Sequence, residues 1–205
     1  MDKRRLEKQI NFLAEIDKMK SVYRQTLLMD RSRRETDAEH SWHLAMMAMT
    51  LLEYRQDPSA DLLRVLRMVL VHDLVEIYAG DTFAYDPEGN KTKEKREKEA
   101  ADRLFAILPE EQGAEYRALW EEFDRQETPD ARFAVAMDRL QPFLSNYMTQ
   151  GHTWKLGHVT EDQVRGRVGM IREAVPEIWP WVEEMLAECV QKGWLIPASR
   201  DPQHP

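Results

Sequence analysis

Residues 66–81, LRMVLVHDLVEIYAGD, indicate the fold class more clearly than any other segment of the chain. Their apolar side chains recur at helical spacing and are unusually dense, which predicts a central helix over residues 60–78. Gly80 follows as the expected C-terminal glycine of that helix. His72 and Asp73 therefore lie side by side in the most apolar helix of the chain. Burying an unpaired carboxylate is costly, so this pair needs a partner or a metal ion.

The rest of the 205-residue chain also reads as helix, and no segment shows strand-like alternation. Amphipathic repeats at three- and four-residue spacing mark the helices, and prolines or other turn residues separate them. We therefore predict an all-α fold in a single compact domain, since one core commonly holds a chain of roughly 200 residues. The further helices are predicted over residues 6–19, 38–54, 92–108, 110–123, 129–148, 161–174 and 176–193.

Three features interrupt the helical pattern. Residues 82–93 contain turn residues without an apolar period and are predicted to form a loop, as are residues 151–158. Pro142 is expected to kink or split its helix, because proline has no N–H to donate.

All 205 residues are assigned to one domain, with its core over residues 6–195 and a short C-terminal tail over residues 196–205.

Two further stretches carry side chains that could join the His-Asp pair. His40 stands near the start of one predicted helix, and Asp138 lies in another that is strongly apolar. Two imidazoles and two carboxylates form a mixed nitrogen and oxygen ligand set. Such a set suits one divalent cation (Mn, Co, Mg, Fe or Zn) better than soft Cu(I), and it leaves positions open for substrate. The candidate metal ligands are His40, His72, Asp73 and Asp138.

Two more acids follow the His-Asp pair at useful spacing. Glu76 comes four residues after His72 and three after Asp73, so it shares their helix face. Asp81 follows Gly80 directly, where the chain leaves the helix and can turn a carboxylate back towards the pair. Acids that are not needed as ligands can act as general acid or base. A lone His-Asp pair also fits a hydrogen-bonded core histidine, but the joint pattern favours a metal site.

The combined pattern resembles the HD superfamily of metal-dependent phosphohydrolases, which is named after the His-Asp pair. The resemblance is closest to the branch of 5′-deoxynucleotidases, and it extends over about residues 6–195. The segment from His72 to Asp81, together with Asp138, is highly specific for the superfamily. The motifs that carry the resemblance are Tyr23-Arg24, Arg34-Glu35, Ala38-Glu39-His40-Ser41, Val71-His72-Asp73-Leu74-Val75-Glu76, Ala79-Gly80-Asp81 and Asp138-Arg139-Leu140.

The resemblance implies an enzyme that converts deoxyribonucleoside 5′-monophosphates to deoxyribonucleosides and phosphate, with the four residues named above as metal ligands. It also implies that Glu76 and Asp81 act in catalysis and that Arg24 helps to bind the phosphate. Arg34 is an alternative phosphate contact. The chain departs from the branch at one position, because its members carry Arg-Trp where this chain has Arg24-Gln25. This departure concerns the substrate side of the pocket and not the metal ligands.

Two alternative functions stay open at this point. HD proteins also cleave cyclic nucleotides, (p)ppGpp and nucleoside triphosphates, so the substrate could be another nucleotide. A dimetal phosphodiesterase would need further histidines between His72 and Asp138, and none is present there, which favours a single cation. The other alternative is a non-catalytic nucleotide-binding protein with a structural metal, but such a site would need neither Glu76 nor Asp81.

Composition limits the partners and the compartment. The net charge of −8 gives no general attraction to nucleic-acid phosphates, so we expect no nucleic-acid polymer as partner. The ligand that the resemblance implies is a small nucleotide. The longest apolar run, residues 44–49, is far shorter than the roughly 20 residues of a membrane span. A single cysteine, Cys189, permits no disulfide within the chain and suits the cytoplasm. The resemblance suggests a homodimer, and the apolar, tryptophan-rich C-terminal helix is compatible with one.

Overall fold

Helices form most of the structure, and the prediction of an all-α fold is confirmed. The structure is a computed structural model that describes residues 2–198. In that range, no helix has both the length and the apolar composition that crossing a membrane requires. The helices are α1 (Lys3–Ile16), α2 (Asp37–Leu51), α3 (Leu62–Val71), α4 (Glu76–Ala79), α5 (Pro87–Phe105), α6 (Glu110–Arg125), α7 (Pro129–Met148), α8 (His152–Leu156), α9 (Glu161–Ala174) and α10 (Trp179–Gln191), with short 3₁₀ turns at Asp17–Ser21, Leu52–Tyr54 and Pro176–Ile178.

Helix α7 is the centre of the packing. Its side chains are buried along most of its length, including Phe133 and Met137, and α2, α3, α6 and α9 pack against it. A second cluster of buried side chains, which includes Phe12 and Leu104, joins α1, α5 and α6 to the segment after α3. Asp138 is therefore carried by the most deeply buried helix, whose close packing holds its side chain in a defined position.

The predicted central helix is wrong in one respect, because the structure divides it at the His-Asp pair. Helix α3 ends at Val71 and α4 begins at Glu76. Between them the Leu74 N–H donates to the Val71 carbonyl (3.1 Å) and the Glu76 N–H donates to the Asp73 carbonyl (2.9 Å), a tighter winding of 3₁₀ type. Consecutive residues of a regular α-helix point about 100° apart. The changed winding lets His72 and Asp73 approach one point from adjacent positions.

A two-stranded antiparallel sheet precedes α2, and the prediction of no strand is wrong in this segment. Strand β1 (Tyr23–Leu27) pairs with β2 (Arg34–Thr36), so that Tyr23 lies opposite Thr36. The Arg34 guanidinium donates to the main-chain carbonyls of Tyr23 (2.8 Å) and Arg24, which ties the two strands together. The hairpin brings Arg24 to the start of α2, where it contacts Asp37.

Two segments that were predicted as loops contain helix. Helix α5 begins at Pro87, because Asp86 accepts a hydrogen bond from the Glu88 N–H (3.0 Å) and proline suits the first turn of a helix. The short helix α8 lies within the other predicted loop and follows Gly151, whose φ is +69°. In both places a local cap or glycine starts a helix that the apolar pattern does not reveal.

Pro142 lies inside α7 and does not split it, since the helix runs from Pro129 to Met148. Proline has no N–H, so residue 142 donates no helical hydrogen bond to the carbonyl of Asp138, four residues earlier. Asn146 donates its side-chain amide to the Pro142 carbonyl (3.0 Å). The missing helical hydrogen bond is therefore at Asp138, which is predicted to bind the metal.

The predicted C-terminal tail is only partly described. Its last residues, 199–205, lie outside the described residues. Its first residue is tied to the helical body, because Ile196 forms a parallel bridge with Thr160 and its carbonyl accepts from the Glu161 N–H (2.8 Å). The contacts of the core therefore extend slightly beyond the predicted limit at residue 195.

Candidate metal centre

The structure brings the four candidate metal ligands to one point. His40 Nε2 lies 2.9 Å from Asp138 Oδ1, and His72 Nε2 lies 3.6 Å from the same oxygen. Asp73 Oδ2 lies 3.1 Å from His72 Nε2 and 3.8 Å from His40 Nε2. Donor atoms that share one divalent ion at roughly 2.1 Å stand about 3 to 4 Å apart. These separations fit a single cation held by His40, His72 and Asp73, with Asp138 Oδ1 beside both imidazoles.

Hydrogen bonds on the far side of each imidazole determine which nitrogen faces this centre. His72 Nδ1 lies 2.9 Å from the Val69 carbonyl, which can only accept, so Nδ1 carries the hydrogen. His40 Nδ1 lies 3.0 Å from Gln141 Oε1 and donates to it in the same way. In the neutral state both Nε2 atoms therefore direct a lone pair to the centre, which is the form in which histidine binds a metal.

The groups around these two Nε2 atoms favour a positive charge between them. An unprotonated nitrogen and a carboxylate oxygen at 2.9 Å repel each other, and His72 Nε2 is buried without a hydrogen-bond partner in the described part of the chain. Burial lowers the pKa of His40 to about 4. Burial acts the same way on His72, but the Asp73 and Asp138 carboxylates raise the pKa of His72 to about 10. The donor set therefore fits a divalent cation, which offsets the carboxylates without protonating either imidazole.

Arg24 reaches the centre from β1 and is held between two carboxylates. Its Nη1 donates to Asp73 Oδ2 (2.8 Å) and to Asp37 Oδ1 (3.2 Å). Asp37 is the first residue of α2 and is completely buried. Burial and the nearby Asp73 charge raise the pKa of Asp37 to about 7, against the opposing effect of Arg24. Arg24 therefore orients Asp73 towards the centre.

The two acids that were predicted to act in catalysis, Glu76 and Asp81, both line the cavity beside the centre. Glu76 is buried, and its carboxylate lies within 4.8 Å of those of Asp37 and Asp73. Burial, followed by the charges of these two aspartates, raises the pKa of Glu76 well above the usual range. Asp81 follows Gly80, whose φ is +76°, and burial raises its pKa as well. Both groups can hold a proton at a pH at which an exposed carboxylate has lost it.

A cavity of about 320 Å³ opens next to the centre, at the lower end of the range for small-molecule sites. Arg24 and Gln25 are in its wall, whereas Arg34 is not, because its guanidinium is bound to the carbonyls of β1. The cavity is therefore lined both by candidate metal ligands and by aromatic side chains. The aromatic side chains in the wall are Phe83, Tyr85, Trp120, Phe123, Phe143 and Trp154.

Gln141, which was not predicted from the sequence, connects the candidate metal ligands to the surrounding polar groups. It is fully buried, its Oε1 accepts from His40, and its Nε2 donates to Glu35 Oε1 (2.7 Å). The donation to Glu35 sets the orientation of the amide. Gln141 lies three residues after Asp138, and this spacing could have indicated a residue on the same face of α7. It is a positioning residue for His40.

We expect the Gln141→Leu substitution to weaken metal binding by about 10- to 100-fold, because His40 loses the acceptor that fixes its tautomer. Leucine has a similar volume, so the change tests the hydrogen bond rather than the packing. Calorimetric titration of metal-free protein with Mn²⁺ measures the affinity. The matched control is Gln191→Leu at the exposed end of α10. An unchanged affinity in the Gln141→Leu protein contradicts the role assigned to Gln141.

Three charged residues near the centre were also missed, namely Asp37, Arg139 and Arg167. Arg139 Nη1 donates to Asp138 Oδ2, and both arginines line the cavity. Charged side chains are common on helix surfaces, so residue type alone did not distinguish these three. Only Arg139 carried a positional signal, because it directly follows Asp138 in the sequence.

Comparisons with known proteins identify relatives over most of the chain. A family model described as "HD domain" matches residues 16–179. The chain is 29% identical over 182 residues to the 5′-deoxynucleotidase HDDC2 of Homo sapiens, which covers 87% of this chain and 85% of that protein. It is also 29% identical over 196 residues to the 5′-deoxynucleotidase HDDC2 of Mus musculus, with coverage of 94% and 93%.

A solved structure extends this similarity to three dimensions. The crystal structure of a predicted metal-dependent phosphohydrolase from Magnetospirillum magnetotacticum MS-1 is 50% identical and has a TM-score of 0.90. The match covers 94% of this chain and 96% of the other. The donor set described above, which fits a divalent cation, agrees with both comparisons. The chain therefore belongs to the HD-domain family, and it is a metal-dependent phosphohydrolase.

Proposed function

We propose that this enzyme is a 5′-deoxynucleotidase, which hydrolyses deoxyribonucleoside 5′-monophosphates to deoxyribonucleosides and phosphate. The observation that carries the proposal is the convergence of two imidazoles and two carboxylates beside a cavity with an aromatic wall. The relatives named 5′-deoxynucleotidase HDDC2 supply the substrate class. Polar groups for a phosphate and aromatic side chains for a planar base match the two halves of a nucleotide.

In this proposal His40, His72, Asp73 and Asp138 hold one divalent cation, which is Mn, Co, Mg, Fe or Zn. When bound, the cation supplies positive charge that activates water and offsets charge on the phosphoryl oxygens. Two neutral imidazoles and two carboxylates balance the charge of a divalent ion. The centre as a whole is then close to neutral and does not repel the phosphate dianion.

The remaining polar groups have separate roles in the proposed hydrolysis. Glu76 accepts the proton of the attacking water, since it is buried beside the ligands and its pKa is raised by burial. Asp81 positions the water or protonates the leaving 5′ oxygen. Arg24 donates to a phosphoryl oxygen while it remains on Asp73. Arg34 is the weaker candidate for phosphate contact, because the carbonyls of β1 engage its guanidinium.

Phosphate release from a panel of nucleotides tests this function. The protein is assayed with Mn²⁺, Co²⁺ or Mg²⁺ on the four common deoxyribonucleoside 5′-monophosphates, AMP, deoxyadenosine 3′-monophosphate, cyclic AMP, dATP and ppGpp. We expect release from the deoxyribonucleoside 5′-monophosphates at a kcat/KM at least about tenfold above that for AMP or the 3′-monophosphate. Hydrolysis confined to cyclic AMP, dATP or ppGpp would assign another substrate. Bound metal without hydrolysis of any nucleotide would assign a structural role to the metal.

We also propose a homodimer in the cytoplasm and a single domain formed by the whole chain. Trp42 in α2 and Trp181 in α10 leave 63% and 46% of their surface exposed, and large exposed aromatic side chains suit a contact with a second copy. Cys189 is buried and free, which suits a reducing compartment. The low expected affinity for nucleic-acid polymers follows from the net charge of −8.

A further inference from the structure

Arg167 is a cationic side chain in the cavity wall, and no carboxylate in the described residues 2–198 forms an ion pair with it. The other arginine and lysine side chains of the wall are paired, because Arg24 and Arg139 contact aspartates and Lys93 contacts Glu97. Within residues 2–198, Arg167 makes no ion pair and no side-chain hydrogen bond. An arginine left unpaired in a cavity is a donor that a ligand can use.

The surroundings of Arg167 disfavour its charge. Desolvation at the cavity wall lowers the pKa of its guanidinium to about 10, the neighbouring Arg139 charge acts in the same direction, and the Asp138 charge opposes both. The side chain is still accessible to solvent, because it faces the cavity and not the packed core. A guanidinium that is accessible, partly desolvated and next to a second cation gains most from an anionic partner.

The position of Arg167 indicates where in the cavity this anion would lie. Ala84, Tyr85, Asn90 and Arg167 line both the cavity and an adjoining open groove of about 350 Å³. Arg167 therefore stands at the mouth of the cavity. His40, by contrast, is completely buried, so the metal centre is the inner end. A nucleotide with its 5′-phosphate at the centre would extend its sugar and base towards the mouth.

We propose that Arg167 binds a second phosphate of the substrate, and that the preferred ligands are nucleotides phosphorylated at both the 5′ and the 3′ positions. This inference rests on the proposed function, because it takes the 5′-phosphate to lie at the metal centre. A phosphate carries dense negative charge, and arginine donates to it through two parallel hydrogen bonds. A neutral base would offer the Arg167 guanidinium no negative charge.

The test compares deoxyadenosine 3′,5′-bisphosphate with dAMP in the parent, Arg167→Gln and Arg167→Lys proteins. Release of the 5′-phosphate by Mn²⁺-loaded protein gives kcat/KM, and calorimetry on the Mn²⁺-loaded Glu76→Gln form of each protein gives the affinity with hydrolysis slowed. We expect the parent to favour the bisphosphate by about tenfold or more in both measurements. We expect Arg167→Gln to remove this preference while its kcat/KM and affinity for dAMP stay within about threefold of the parent values. Arg167→Lys is expected to keep part of the preference for the bisphosphate. The matched control is Arg165→Gln on the same helix, where Arg165 contacts Glu161 outside the cavity.

Several results overturn the inference. One is equal affinity of the parent for the two ligands. Another is an equal loss of affinity for both ligands in Arg167→Gln. A third is a loss of affinity in Arg167→Gln that depends on the base of the monophosphate, which would assign Arg167 to base recognition. Thermal unfolding shows whether each variant is folded. If the Arg167→Gln protein does not fold, the Arg167→Lys protein still tests the role of the guanidinium. If calorimetry shows the Arg167-dependent preference but no protein releases phosphate, the phosphate site stands and the proposed hydrolysis fails.

Discussion

Replacing His72 with alanine is expected to lower phosphohydrolase activity by at least about 10³-fold, because the cation that activates water is no longer held. The Val69 carbonyl fixes the His72 ring so that Nε2 faces Asp73 and Asp138. Phosphate release at saturating Mn²⁺ measures the activity, and elemental analysis after dialysis measures the metal content per chain.

His152→Ala is the matched control for His72→Ala, since His152 is exposed at the start of α8. It should retain the metal and the rate of the parent. A His72→Ala protein that still binds one ion per chain and works at the parent rate would mean that His72 is not a metal ligand. Circular dichroism of both variants separates loss of the ligand from loss of the fold.

Glu76→Gln is expected to bind the metal as tightly as the parent but to lose about 10² to 10⁴ in kcat, the usual contribution of a general base. Glutamine has nearly the same shape as glutamate and cannot accept the proton of water. Because burial raises the pKa of Glu76, we also expect the rate of the parent to rise with pH as this carboxyl loses its proton. The kcat at saturating nucleotide and the pH profile measure both effects.

Glu97→Gln provides a sharp control for Glu76→Gln. Glu97 is also buried and lines the same cavity, but its carboxylate is paired with Lys93. It should change kcat by less than about tenfold, because it is not placed to take a proton from water. Equal losses in the two variants would indicate that negative charge in the cavity matters and that proton transfer by Glu76 does not.

The fold class was predictable because helical periodicity records burial locally in the sequence. The bounds of α7 and α9 match the prediction, and both helices begin after a threonine whose hydroxyl caps the first turn. The break after Val71 was not predictable in the same way. Leu74 and Val75 continue the apolar pattern, so the propensity of the segment favours an unbroken helix, and the tertiary packing around the centre decides against it.

The hairpin was missed because its strands are short and pair with each other through contacts distant in sequence. Five residues of β1 and three of β2 offer too little alternation to indicate a strand. Their pairing depends in part on the Arg34 side chain, which binds the carbonyls of β1. The same side chain had been predicted to contact phosphate, so its structural use could be recognised only once the strands were seen.

Part of the candidate site could be predicted from the sequence. The four ligand candidates have distinctive residue types in apolar helices, and the resemblance assigned them to one ion. Asp37, Gln141 and Arg167 acquire their importance from contacts made across the fold, to Arg24, to His40 and to the cavity mouth respectively. Such contacts join elements that are far apart in sequence, so local patterns do not report them.

Anomalous diffraction from a crystal grown with Mn²⁺ would locate the cation directly. One peak is expected, at about 2.0 to 2.3 Å from the inward-facing nitrogens of His40 and His72 and from one oxygen each of Asp73 and Asp138. A peak coordinated by other side chains, or full hydrolytic activity in a crystal form without any such peak, would refute a catalytic ion at this position.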